Sequence, residues 1–171
     1  MFESFSELAL VLGEEEGPQL LGSLAGNLLC TTLHGRGQAA ALQILTLKVT
    51  MNYTGCTMTA RGVTAKPSEP IIALYDFNAD GTVTLLNEVV ILASLEGLDC
   101  TILVPAQGPL ATVGYRNQVK PLSIEAILTL ASIKNILTSA SGTGCQETYK
   151  DSTNGLFNGN SFIFGSAMQW K

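Results

Sequence analysis

The chain has 171 residues, the size of one ordinary domain, and nine Lys plus Arg against fourteen Asp plus Glu give a net charge of −5. Hydrophobic residues make up 46% and charged residues only 13%, about half the roughly 25% of a typical soluble domain. A chain this apolar buries enough surface to offset its ordering entropy, its few scattered cations form no phosphate-binding stripe, and its longest apolar runs fall far short of a spanning helix. Disorder, nucleic-acid binding and a membrane span are therefore excluded as expectations.

The opening residues carry no basic segment, and the apolar run 8–12 is too short for the core of a signal peptide. The expectation is a chain that starts in the cytoplasm or a mature or truncated form that has lost its leader. Glu14-Glu15-Glu16-Gly17-Pro18 reads as a charged loop, and residues 1–27 as a whole read as the less regular N-terminal part. His34, the only histidine, stands before Gly35 and reads as a strand end at a turn. From 45 to 53 the apolar set Leu45, Leu47, Val49, Met51, Tyr53 alternates with Thr46, Lys48, Thr50, Asn52, the period of a strand with one face in water. Thr54-Gly55 reads as the turn that ends it.

A second strand is expected over 71–77, between Pro70 and the turn residues Asn78-Ala79-Asp80-Gly81, with 82–86 returning as the other arm of a hairpin. Residues 89–92 are continuous and partly β-branched and read as a buried strand. Residues 100–104 alternate and stop at Pro105, which cannot donate to a ladder. Residues 111–115 alternate as well. Over 123–137 a period-two set and a helical face overlap; the flanking Pro121 and the Gly142–Gly144 region favour a strand, and a helix stays open. The stretch Asn154-Gly155 to Asn158-Gly159 reads as turn, followed by an aromatic strand over 161–164. Short strands with turn signals about every ten residues describe an all-β antiparallel sandwich or barrel, one domain over 1–171 with its β core over 28–171 and room for one short helix.

Four cysteines, Cys30, Cys56, Cys100 and Cys145, are spread along the chain with no close pair. Zinc ligands come in close pairs, so the even, spread count fits two disulfides in an oxidising compartment, three pairings being open; the alternative is four free thiols buried in a cytosolic core.

Few residues carry chemistry. Asp76, Asn78 and Asp80 followed by Gly81 match the first half of a calcium loop, but its twelfth position is Asn87 and Glu88 falls one residue late. The plain alternative is a hairpin turn, which uses the same residues for backbone reasons. A nucleophile needs a base in reach, and the one histidine reads as a solvated turn residue. Gly22-Ser23-Leu24-Ala25-Gly26 lacks nucleophile-elbow spacing, and no phosphate-cradling glycine loop occurs. Asp76, Asp80 and Glu125 are the candidates for a carboxylate pair. Asn52-Tyr53-Thr54 is a glycosylation sequon, a triplet that also arises by chance.

Asn52-Tyr53-Thr54-Gly55-Cys56, then Cys100-Thr101-Ile102-Leu103-Val104-Pro105-Ala106-Gln107, then Gly142-Thr143-Gly144-Cys145, then Asn154-Gly155 through Asn158-Gly159-Asn160-Ser161, come in an order that resembles a family of small secreted β-proteins common in actinobacteria. Cys30-Thr31-Thr32 with Gly35 is similar to the family's first cysteine strand. The resemblance covers roughly residues 28–166, with Val104-Pro105-Ala106-Gln107 its most specific part. Members carry a signal peptide, absent from this chain, and two further cysteines near the positions of 71–75 and 87–92. Their joint absence leaves two bridges, for which the resemblance implies Cys30 with Cys56 and Cys100 with Cys145. It implies a compartment and a fold, and no reaction.

The expected function is a secreted or cell-surface module with a binding or structural role, without catalysis, cofactor or nucleic acid, its ligand a carbohydrate or a protein. The alternatives are a carboxylate-dependent hydrolase, a calcium-dependent adhesion module centred on Asp76, Asn78 and Asp80, and a viral or filament subunit.

Overall fold

The computed structural model describes residues 27–37, 45–110, 137–145 and 153 with their side chains, and the backbone of the other strand residues given below; the remainder lies outside the described residues. Three strands open the chain: β1 (Phe2–Ser6), β2 (Gln19–Ser23) and β3 (Gly26–Ala39). They are followed by β4 (Gln43–Ile44), β5 (Thr46–Ala60), β6 (Val63–Ala65), β7 (Ile71–Asn78) and β8 (Thr82–Leu85). Next come β9 (Val89–Leu95), β10 (Leu98–Val104), β11 (Gln107–Thr112), β12 (Arg116–Asn117) and β13 (Ser123–Leu128). The chain closes with β14 (Ile133–Ser141), β15 (Ser152–Asn158), β16 (Ser161–Ser166) and β17 (Gln169–Trp170).

The all-β antiparallel expectation holds. The main sheet runs β11-β8-β7-β5-β3-β2-β15-β14-β10-β9, with β6 added beside β5 and β1 beside β3; a smaller antiparallel sheet is β12-β13-β16, and β17 pairs with β4 in parallel. The sheet folds over rather than closing into a barrel. Strand β9 lies against β6 and β7, where Pro67 bridges to Ala93 and the Ser68 N–H donates to the Leu92 carbonyl at 2.7 Å. Strand β11 lies beside β14. The core fills the space between these layers. Ile71, Ala73, Phe77, Val83 and Leu85 are buried on β7 and β8, and Val89, Ile91, Ala93, Leu98, Cys100 and Val104 on β9 and β10. Burial of such side chains, worth about 1.5–3 kcal/mol each, is what holds the layers together.

Several boundaries depart from the sequence reading, each for a local reason. Thr54-Gly55 is not a turn: β5 runs through it from Thr46 to Ala60. Leu47, Val49, Met51 and Tyr53 are buried before Gly55, and Cys56, Met58 and Ala60 after it, so the alternation shifts phase there. Its partner shifts too, from Leu28 and Cys30 to Leu33 and Gly35, while the pairing register stays constant from Cys30↔Cys56 to Thr32↔Thr54. The two strands therefore bend together and present the opposite phase to the core on either side. Gly55 takes φ 65°, and a Cβ on it would run into the Thr31 side chain. Gly35 is likewise no turn; it is buried in the middle of β3, and His34 is exposed beside it.

Residues 89–92 were expected to be buried throughout, yet only Val89 and Ile91 face the core, because nothing among the described residues covers the outer face of β9. The open choice at 123–137 resolves toward strands over Ser123–Leu128 and from Ile133; residues 129–132 lie outside the described residues. Residues 154–158 belong to β15 rather than to a turn. The segment before residue 28 supplies β1, β2 and the start of β3, while the charged loop at 14–18 lies outside the described residues. So do residues 113–115 of the strand expected at 111–115.

Candidate functional site

The two disulfides are Cys30–Cys56 and Cys100–Cys145. The first joins residues directly opposite on β3 and β5, with Cα atoms 3.9 Å apart, at the place where both strands bend. The second ties β10 to the turn after β14, Cα atoms 4.9 Å apart. That turn is further held by the Asp99 N–H donating to the Thr143 carbonyl at 3.0 Å. Gly142 takes φ 115° and leaves no space for a Cβ against the Asp99 carbonyl. All four cysteines are buried, with Cys145 completely so. They are cross-links and not nucleophiles.

The residues of the half calcium loop sit in the β7–β8 hairpin. Asp80 Oδ1 accepts from the Thr82 N–H at 2.8 Å and the Thr82 hydroxyl at 2.7 Å. These donors hold the Asp80 carboxyl below the usual aspartate range, the backbone N–H contributing most. Asn78 Oδ1 accepts from the Thr46 hydroxyl at 2.9 Å, and its amide donates to the Thr82 hydroxyl at 3.0 Å. Gly81 takes φ 90° and donates its N–H to the Asn78 carbonyl at 2.8 Å. The turn thus engages Asn78 Oδ1 and Asp80 Oδ1 in hydrogen bonds of its own, the use expected of a hairpin turn. Asn87, at the twelfth position, is also engaged: its Oδ1 accepts from the Leu74 N–H at 2.6 Å and its amide donates to the Ile72 carbonyl at 3.2 Å.

Asp76 lies in β7 opposite Lys48 on β5 and Thr84 on β8, with Oδ1 buried and without a hydrogen-bond partner. Glu125 is on β13, in the smaller sheet. The three acids proposed as a carboxylate pair therefore fall on a strand, a hairpin tip and a second sheet. Among the described residues no group of three His, Cys, Asp or Glu side chains is placed to hold a metal ion. Asn52 of the sequon faces outward from the middle of β5, between His34 of β3 and Ile72 of β7.

One polar pair in the core, Tyr53 buried and Tyr75 half-buried, escaped the sequence reading. The hydroxyls of Tyr53 and Tyr75 lie 3.3 Å apart, and Tyr53 also reaches Met51 Sδ at 3.7 Å. Burial raises the pKa of both phenols, that of Tyr53 further because Tyr75 stands beside it. Both stay neutral across the physiological range, and alternation alone marks them only as core residues.

The surface feature that stands out is the outer face of β9, β10 and β14. On it Val90 and Leu92 are 45% exposed and Leu137 46%. Register places Val90 beside Leu103, and Leu103 beside Ser139; Leu92 stands beside Thr101, and Thr101 beside Ser141. The face is an apolar stripe set among Thr and Ser; its charges among the described residues stand at its ends, Glu96 and Asp99 at the hairpin and Glu88 just before β9. Its signal in the sequence was the same continuous apolar run that read as buried.

These features define the class: a disulfide-linked antiparallel all-β domain. Comparison of the chain with protein-family models, curated proteins and solved structures gave no match.

Proposed function

We propose that the chain is an exported, non-catalytic module of the cell surface or secreted medium, with a binding or structural role carried by the outer face of β9, β10 and β14. The observation that carries this is the exposed stripe of Val90, Leu92 and Leu137. Contiguous exposed apolar surface on a soluble domain marks a contact site, because leaving it in water costs free energy that an occupant recovers. The face has no aromatic ring to stack on a sugar among its described residues, so a protein surface suits it better than a carbohydrate. Two disulfides are compatible with an oxidising compartment.

Two measurements test the two halves. Protein taken from its own source without reductant should take up no thiol reagent until it is both unfolded and reduced; labelling of four thiols on unfolding alone would refute export. Sedimentation of the oxidised protein should show concentration-dependent association that the Val90→Lys, Leu92→Lys double variant abolishes. A wild-type chain that stays monomeric at high concentration would remove the structural-subunit role. If cross-linkers placed at exposed position 92 then also captured nothing in the native setting, the binding role would go as well.

A further inference from the structure

Three side chains stand in for missing strand partners. The Glu69 carboxylate accepts from the Cys56 N–H at 2.6 Å, where neither β6 nor β7 reaches β5, and Asn87 continues the ladder on β7 where β8 stops. Gln107 does the same between two separate parts of the sheet. Its Oε1 accepts from the Leu137 N–H at 2.8 Å, and its amide donates to the Leu137 carbonyl at 3.1 Å and to the Pro105 carbonyl at 3.0 Å. Both amide hydrogens donate and the oxygen accepts, so the side chain acts as a one-residue strand joining β11 to β14.

The surrounding ladder is thin at this place. Strand β10 pairs with β14 only from Thr101↔Ser141 to Leu103↔Ser139, leaving Leu137 beyond its end. The β14–β15 register slips between Ile133 and Ile136 and again between Ile136 and Thr138. The β11–β8 register slips between Gln107 and Ala111. Leu137 itself is about half exposed, so no deep apolar packing anchors it. The other end of β14 is held covalently, because the turn that follows it carries Cys145, bonded to Cys100. Regions with interrupted backbone bonding and little buried apolar contact open at lower free energy than the core.

We propose that the β11–β14 margin is a latch that opens as a local unit, with the Gln107 amide holding it shut and the Cys100–Cys145 bridge as the fixed end about which it opens. The inference rests on this geometry alone and is independent of the role assigned to the outer face.

Amide hydrogen exchange of the full oxidised protein, followed residue by residue by NMR, tests it. In the Gln107→Ala variant the Leu137 amide should exchange at least tenfold faster than in wild type, while amides along β3 and β5 keep their wild-type rates. Gln107→Glu keeps an acceptor for the Leu137 N–H and loses both donated bonds, so its Leu137 rate should fall between the two. An unchanged Leu137 rate in Gln107→Ala would overturn the latch. So would a uniform acceleration across all strands, or a failure of both variants to fold, since either result would make the margin part of the cooperative core.

Discussion

At the scale of single residues, Gly55 decides more than any other position. It sits inside a fifteen-residue strand at φ 65°, in contact with the Thr31 side chain, at the point where β3 and β5 change which alternate residues they bury. An L-residue in that conformation costs roughly 1–2 kcal/mol from its own backbone sterics. Gly55→Ala should therefore destabilise the protein by at least about that amount, measured as a lowered denaturant midpoint, and its collision with Thr31 should add to the loss. Adding Thr31→Ala should recover the collision share and leave the backbone share. A Gly55→Ala variant as stable as wild type would show that the bend does not depend on the left-handed conformation. The alternation at 45–53 made the first half of β5 legible in the sequence. The second half was not, because a strand that reverses its phase at a glycine has the same local signature as a strand that ends in a turn.

At the scale of elements, what could be read and what could not follow from whether a signal is local. The β7–β8 hairpin was legible because Asn78, Asp80 and Gly81 act within a few residues of one another, Asn78 and Asp80 through bonds to Thr82 and Gly81 through its bond to the Asn78 carbonyl and its positive φ. The outer face of β9 was not, because whether Val90 and Leu92 are covered depends on a layer that no local pattern specifies. The ladder-completing roles of Glu69, Asn87 and Gln107 were equally hidden, each joining residues at least thirteen positions apart. The hairpin also makes the clearest pH statement. The Asp80 carboxyl titrates below its unfolded value because Thr82 donates to its charged form. Its contribution to stability is thus present above the unfolded pKa and is lost as pH falls through the lower folded one. NMR titration should find the Asp80 midpoint below that of an unstructured aspartate. Thr82→Val removes the hydroxyl and keeps the N–H, so it should raise the midpoint only part of the way back. A wild-type midpoint at the unstructured value would contradict the bonded turn.

At the scale of the whole molecule, the two disulfides act on different parts of the folding balance although their loops differ little. Closing loops of 26 and 45 residues removes unfolded-chain entropy worth about 3.5 and about 4 kcal/mol on the chain-entropy estimate. Cys30 and Cys56 lie opposite each other within a ladder that continues from Asn27↔Thr59 to Gln38↔Lys48. Backbone pairing would keep their side chains together without the bond, so its loss falls mainly on the unfolded state. Cys100–Cys145 instead anchors a turn outside any strand ladder, whose backbone ties include the Asp99-to-Thr143 bond and the Cys145-to-Gly142 bond. Without that bridge the native state loosens too, and the completely buried Cys145 position loses its place in the core. Paired alanine substitutions, which leave no unsatisfied polar group behind, separate the two cases. Cys30→Ala with Cys56→Ala should lower stability by about 3–4 kcal/mol with one cooperative transition. Cys100→Ala with Cys145→Ala should cost more, and should also speed exchange of the Asp99 amide under conditions where the rest of the protein stays folded. Urea unfolding with exchange on the same samples reads both quantities. The reverse order of stabilities, with Asp99 still protected, would mean that the turn after β14 is held by its backbone alone and that the β3–β5 bend is what needs a covalent bond.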